Sequence, residues 1–334
     1  MTVAEKLRTL HRQGRLTLPH PGSGATAERH SALMQLGRED LTLARLAEAH
    51  VDAIAILAEA GKSPAPGALY GVWAAESPHQ ALSLAKEGSG FLLSGSKMFG
   101  SGADIVDHAL VTVRSPEHRL VDLDLRQNAE RIVFAKEWIA AAFAETNTAT
   151  AAIANAVVSE TDLIGPPRWY LDRPGFWNGA CGPAACWAGG AMGLVDYARR
   201  TVSDSPHGRA HVGAMYAAEW AMAACLKTAG DEIDREPDDK NAAVQRALAV
   251  RHTIEHFCSD ILQRFGRTFG PRPLAFDKVI AQRYQEVELY IRQSHAEHDL
   301  ETLGRLVTES HSDATVARGT SPTQTRTSRE PIPA

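Results

Sequence analysis

Between residues 38 and 60 the apolar positions Leu41, Ala44, Leu46, Val51, Ile54 and Leu57 recur at mostly helical spacings, after Gly37 and before Gly61, which predicts one helix. The Pro19-His20-Pro21-Gly22-Ser23-Gly24 segment ahead of it reads as a loop, and Ser63-Pro64-Ala65-Pro66-Gly67 behind it as a second break. From residue 68 to about 168 the period changes. Residues 90–99 and 108–113 read as short strands between glycine turns, and 120–125 alternates apolar with acidic residues as a half-exposed strand does. Beyond Pro174 the helical period returns in four long runs, 181–202, 211–230, 241–265 and 273–306. Their breaks fall at Asp204-Ser205-Pro206, Glu236-Pro237-Asp238-Asp239 and Gly270-Pro271. Four long helices with short breaks predict an antiparallel bundle. The pattern divides the chain into a helical region 1–66, a β-unit 67–172, a helical bundle 173–310 and a disordered tail 311–334, rich in Thr, Ser, Arg and Pro.

Composition narrows the partners more than the fold. With 334 residues, 44% hydrophobic and 22% charged, the chain is an ordinary globular sequence of two or three structural units. A formal charge of -5 supplies no general attraction for nucleic acid, so a small-molecule partner is expected. Cys181, Cys186, Cys225 and Cys258 show no C-x-x-C spacing and sit in apolar surroundings, the pattern of buried thiols rather than of disulfides or zinc ligands. The first fifteen residues are polar and charged where a signal peptide needs an apolar stretch, and no apolar run reaches the roughly 20 residues that span a bilayer. A cytoplasmic protein without membrane contact is expected.

Several motifs, in order along residues 38 to 306, resemble those of the acyl-CoA dehydrogenase superfamily. Ala75-Glu76-Ser77 is similar to its Thr-Glu-Pro turn. Ser94-Gly95-Ser96-Lys97-Met98-Phe99-Gly100-Ser101 resembles the strand whose last three residues pack against the isoalloxazine. Arg209-Ala210-His211-Val212-Gly213 resembles a segment that reaches the FAD pyrophosphate, and Gln263-Arg264-Phe265-Gly266 a loop laid against the cofactor by a neighbouring subunit. The resemblance implies an α+β fold with a shortened N-terminal helical region, a central β-barrel-like domain and a C-terminal four-helix bundle. It implies FAD as cofactor, held by Phe99, Gly100, Ser101, Arg209, Gln263 and Gly266, and a homodimer or homotetramer with the cofactor between subunits.

The same resemblance makes the active site atypical. Dehydrogenation of an acyl thioester needs a carboxylate base for the α-proton. In most of the family it lies nine residues after the arginine that here resembles Arg283, which is Arg292, a guanidinium that stays protonated. The minority position, on the helix carrying Pro183 to Gly190, is Pro183. Glu286, Glu288 or Glu297 would have to substitute, although Glu286 and Glu288 read as solvated helix-face carboxylates.

What occupies the region is Arg292-x-x-His295-x-x-His298-Asp299, with His295, His298 and Asp299 at i, i+3 and i+4 on one predicted helical face. It resembles the His-x-x-His-Asp segment of the flavin-dependent monooxygenase branch, in which a histidine assists the reaction of reduced flavin with oxygen. Arg292, His295, His298 and Asp299 are therefore the candidate catalytic residues, with surface or interface use as the plain alternative. The leading expectation is an FAD-dependent oxidoreductase acting on CH-CH groups of an acyl-CoA or similar acyl substrate, with a possible electron acceptor. Beside it stand a monooxygenase supplied with reduced flavin by a reductase and a catalytically silent homologue.

Overall fold

The computed structural model describes residues 1–76, 81–114 and 116–319. Three helices open the chain: α1 (Val3–Arg12), α2 (Thr26–Glu39) and α3 (Leu41–Glu59). The polar first segment is amphipathic. Thr2 and Glu5 form a reciprocal capping box, and Val3, Leu7 and Leu10 face the core. The helix predicted over 38–60 is in fact the end of α2 followed by α3. Asp40 between them is extended, and its carboxylate caps α3 by accepting the Leu43 N–H.

Eight strands follow: β1 (Tyr70–Trp73), β2 (Leu82–Glu87), β3 (Gly90–Gly100), β4 (His108–Val113), β5 (Arg119–Asp124), β6 (Ile132–Ala135), β7 (Ala149–Ser159) and β8 (Leu163–Ile164). They form two four-stranded sheets, ordered β1-β4-β5-β8 and β2-β3-β7-β6. Only β1 and β4 pair in parallel among the described strands. β4 is buried along nearly its whole length because both of its faces are covered. Ala109, Val111 and Val113 join the core shared with the second sheet, while Leu110 packs with Ala53, Ile56 and Leu57 of α3.

Two short helices, α4 (Trp169–Asp172) and α5 (Pro174–Gly179), lead into α6 (Cys181–Thr201), α7 (Pro206–Arg235), α8 (Lys240–Phe269), α9 (Arg272–Phe276), α10 (Lys278–Tyr290) and α11 (Glu297–Gly319). The fold is α+β and acyl-CoA dehydrogenase-like, with α6, α7, α8 and α10 as its C-terminal helical bundle. α2 joins this bundle rather than the β layer, lying close against α6. A Cβ on Gly189 would stand 2.0 Å from the Met34 carbonyl oxygen, and one on Gly37 2.6 Å from that of Cys186, so this approach requires glycine on both sides.

Two expectations need correction. The run 273–306 is not one helix: α10 ends at Tyr290, a short 3-10 turn covers Ile291–Gln293, and Ala296 turns with φ 48° before α11 starts. Gln263 and Gly266 do not lie in a loop, because α8 continues through both to Phe269 and stops at Gly270, φ 61°. Of the expected tail, residues 311–319 continue α11 and residues 320–334 lie outside those described, as does Ser77 of the Ala75-Glu76-Ser77 motif. Among the described residues no helix is long and apolar enough to cross a membrane. Cys181, Cys186 and Cys258 are buried thiols and Cys225 is half-buried.

Candidate functional site

A cavity of about 680 Å³ opens where α3, the ends of β1 and β3, α5, α8 and the turn after α10 converge. Its size is that of a cofactor or ligand chamber. Phe99 and Ser101 line it from the β side, Arg292, His295 and Asp299 from the turn after α10, and Pro183 from α6.

Local backbone geometry builds the β-side wall. Phe99 adopts φ 57°, a left-handed conformation unfavourable for a bulky side chain, and its ring stays 53% exposed. Strain of this kind persists only where the surroundings over-determine it, and it concentrates at binding sites. The next residue, Gly100, is buried and pairs with Ala149 of β7, and the Trp73 indole N–H donates to the Ser101 carbonyl at 3.0 Å. The Ser101 hydroxyl bonds Thr148 Oγ1 at 3.0 Å, which in turn bonds Thr146 Oγ1 at 2.8 Å. Two motif residues nearby are structural. Lys97, 3% exposed, donates to Thr112 Oγ1 at 2.7 Å and Glu76 Oε1 at 3.3 Å, so the turn glutamate is tied to β4. Burial depresses the Lys97 pKa against the pull of Glu76.

On the opposite side the interruption of the helix after α10 replaces the expected helical face. His295 precedes α11, and Asp299 in the first turn reaches back to it: Oδ2 accepts the His295 backbone N–H at 3.2 Å, and Oδ1 lies 3.3 Å from Nδ1. The single helical face expected for His295, His298 and Asp299 is thus replaced by a turn that brings His295 and Asp299 together. His298, next to Asp299 in sequence, is exposed and does not line the cavity, with its ring centre 6.5 Å from that of His295. Arg292 pairs with Glu288 at 3.4 Å and Glu255 at 3.5 Å. Glu286 is not solvated as expected. It is 3% exposed, accepts from Thr42 Oγ1 at 2.5 Å and Gln282 Nε2 at 2.8 Å, and does not line the cavity; burial raises its pKa.

Arg209, Gln263 and Gly266 lie apart from this chain's cavity. Arg209 is exposed on the first turn of α7 and ion-pairs with Asp204, while Gln263 is exposed on α8.

Several cavity residues escaped the sequence reading. Arg45, Glu48 and Asp52 stand at i, i+3 and i+7 on one face of α3, a charged stripe in a helix read only for its apolar positions. The Arg45 guanidinium lies 4.7 Å from the Phe143 ring centre and 5.4 Å from that of Tyr290, and donates to Ser101 Oγ at 3.3 Å. Burial lowers its pKa. Arg251 of α8 lies 4.7 Å from the Trp187 ring centre and donates to the carbonyls of Ala180 and Gln293. Glu48 is 8% exposed, and burial followed by the neighbouring charge of Asp52 pushes its pKa up to about 8. Arg173, ion-paired with Glu59, and Asp52 also border a second cavity of about 460 Å³.

The fold and a chamber between β layer and bundle define a chain of acyl-CoA dehydrogenase-like architecture. Solved structures match it over most of its length. KijD3, in complex with FMN and a dTDP-linked amino-keto sugar, superposes with a TM-score of 0.75 at 13% identity, covering 92% of this chain and 86% of KijD3. TdsC from Paenibacillus sp. A11-2, in complex with FMN and indole, gives 0.76 at 14% identity and coverage of 92% and 95%. The methanesulfinate monooxygenase MsuC from Pseudomonas fluorescens gives 0.76 at 16% identity and coverage of 92% and 91%. No protein-family model and no curated protein sequence matches the chain.

Proposed function

We propose that this chain is a flavin-dependent monooxygenase, using reduced FMN and dioxygen on a small organic substrate. The observation that carries the reading is the pair of positions facing the chamber from the turn after α10. Arg292 lines the chamber at the position where the resemblance would put an α-proton base and is permanently charged, and near it His295 is held by Asp299. The chamber fits a flavin on two counts. Its volume is sufficient, and the strained, half-exposed Phe99 followed by buried Gly100 and Ser101 offers an aromatic shelf with an adjoining hydroxyl. Phe99 and Ser101 would hold the ring system, with Arg45 donating beside it. Bound there in reduced form, the flavin supplies the two electrons that let one oxygen atom enter the substrate while the other leaves as water. His295, donating Nδ1–H to Asp299, keeps Nε2 to take up or hand over a proton. FMN rather than the expected FAD is favoured because the similar structures of KijD3 and TdsC are complexes with FMN. Because Arg209, Gln263 and Gly266 lie outside the chain's own chamber, any contact they make with the flavin phosphate comes from a neighbouring subunit of a homodimer or homotetramer.

The dehydrogenase reading keeps one support, the fold itself, and makes the opposite prediction. Reduced, FMN-loaded protein mixed with dioxygen is expected to pass through a transient absorbance distinct from both oxidised and reduced flavin. Anaerobic addition of acyl-CoA thioesters is expected to leave the oxidised flavin band intact. Bleaching by a thioester would overturn the proposal in favour of acyl dehydrogenation, and failure to bind any flavin would favour a silent homologue.

A further inference from the structure

Glu48 has no ion pair or hydrogen bond among the described residues, although it is 8% exposed and borders the chamber. Its carboxyl group packs close to α6, 2.6 Å from where a Cβ on Gly182 would stand. A buried polar side chain without a protein partner is costly unless something else satisfies it. The chamber lining includes the apolar and aromatic Tyr170, Phe176, Trp177 and Leu248 together with the charged Asp52 and Arg251.

We propose that Glu48 touches the substrate directly as a carboxyl hydrogen-bond donor, selecting flat aromatic compounds that present an oxygen or nitrogen lone pair toward α3. This rests on the chamber's being the substrate site of the reading above. The groups that act on Glu48 come from every side: Asp52 on its own helix, Arg29 on α2, Tyr170 on α4, Cys186 on α6, Arg251 on α8 and Tyr290 on α10. Burial and Asp52 outweigh the two guanidinium groups, so the carboxyl keeps its proton near neutrality, with a pKa of about 8. Donation is therefore available below that pH and is withdrawn above it.

The test compares isoquinoline, which carries a ring lone pair, with naphthalene, which has the same shape and none. Calorimetric titration of the FMN-loaded protein near neutral pH is expected to show isoquinoline bound about tenfold more tightly, the discrimination of one buried hydrogen bond. The preference is expected to fade as pH rises through about 8. In Glu48→Leu it is expected to vanish. In Glu48→Gln, whose amide N–H still donates, it is expected to persist without pH dependence. An equal preference in Glu48→Leu, or an unchanged preference across pH in the unaltered protein, would overturn the proposal; so would absence of any preference. Should Glu48→Leu fail to fold, the pH profile of Glu48→Gln decides alone. Titration is independent of turnover, so failure of the oxygenase reading and failure of the Glu48 assignment show up in different measurements.

Discussion

A carboxyl group moved from water into a packed interior loses the hydration that stabilised its charge, and Glu48 gains no compensating bond from the chain. Its proton is held more tightly in the folded state than in the unfolded one, where the value is near 4.5. Stability from this group is therefore full below about pH 4.5 and declines as pH rises toward about 8, since the unfolded chain releases the proton first. Glu48→Gln removes that dependence. Urea denaturation of both proteins at several pH values is expected to show the variant's advantage growing from pH 4.5 to 8, and a constant difference would refute the assigned burial. Phe99 poses the converse problem of a strained residue kept for its ring. Phe99→Gly relieves the left-handed backbone while adding the entropy of glycine, so stability is expected to stay within about 1 kcal/mol. Flavin affinity is expected to fall at least about tenfold through loss of the aromatic face. Fluorescence titration with FMN would measure it, and undiminished affinity would take Phe99 out of the site.

At the scale of elements, the break between α10 and α11 sets the geometry of His295 and Asp299. Ala296 at φ 48° is its pivot, which any residue lacking a Cβ occupies without strain. Ala296→Gly is expected to retain or slightly raise stability and preserve turnover. Ala296→Val, β-branched in the same conformation, is expected to cost about 1–3 kcal/mol and to lower turnover as the His295–Asp299 contact is lost. Thermal melts with rate measurements check both, and equal behaviour of the two variants would argue that the turn is not fixed. No glycine or proline marks residues 291–296, which is why the helical period of the sequence runs through them unbroken. The same limit hid α2, whose buried face includes Arg29 and His30 rather than an apolar stripe. β3, β4 and the breaks at Pro206, Pro237 and Gly270 were legible because their punctuation is local chemistry: glycine, proline and capping aspartate or serine. The candidate site was legible only where a motif carried it, at Phe99, Ser101, Arg292, His295 and Asp299. Arg45, Glu48, Asp52 and Arg251 become site residues only when the fold brings α3, α6 and α8 together.

At the scale of the whole molecule, the two groups of expected flavin contacts separate. Phe99 and Ser101 line the chamber of one chain, whereas Arg209, Gln263 and Gly266 do not line it. A second copy could bring the α7 start and the α8 end against the first copy's chamber, since an isologous pair gives each subunit what it lends. Exposed Tyr216 and Trp220, 51% and 69% accessible on α7, provide apolar surface on the helix that carries Arg209. This arrangement predicts complementation. Arg209→Ala alone is expected to lose flavin by removing a guanidinium partner of the phosphate, and Phe99→Gly alone by removing the shelf. Co-refolded as mixed dimers, the two variants combine one doubly damaged chamber with one whose shelf and arginine are both intact. Flavin content is then expected to recover to about a quarter of the wild-type level, since random mixing makes half the dimers mixed and each restores one of two sites. No recovery would place Arg209 and Phe99 in the same subunit's site, or Arg209 in none.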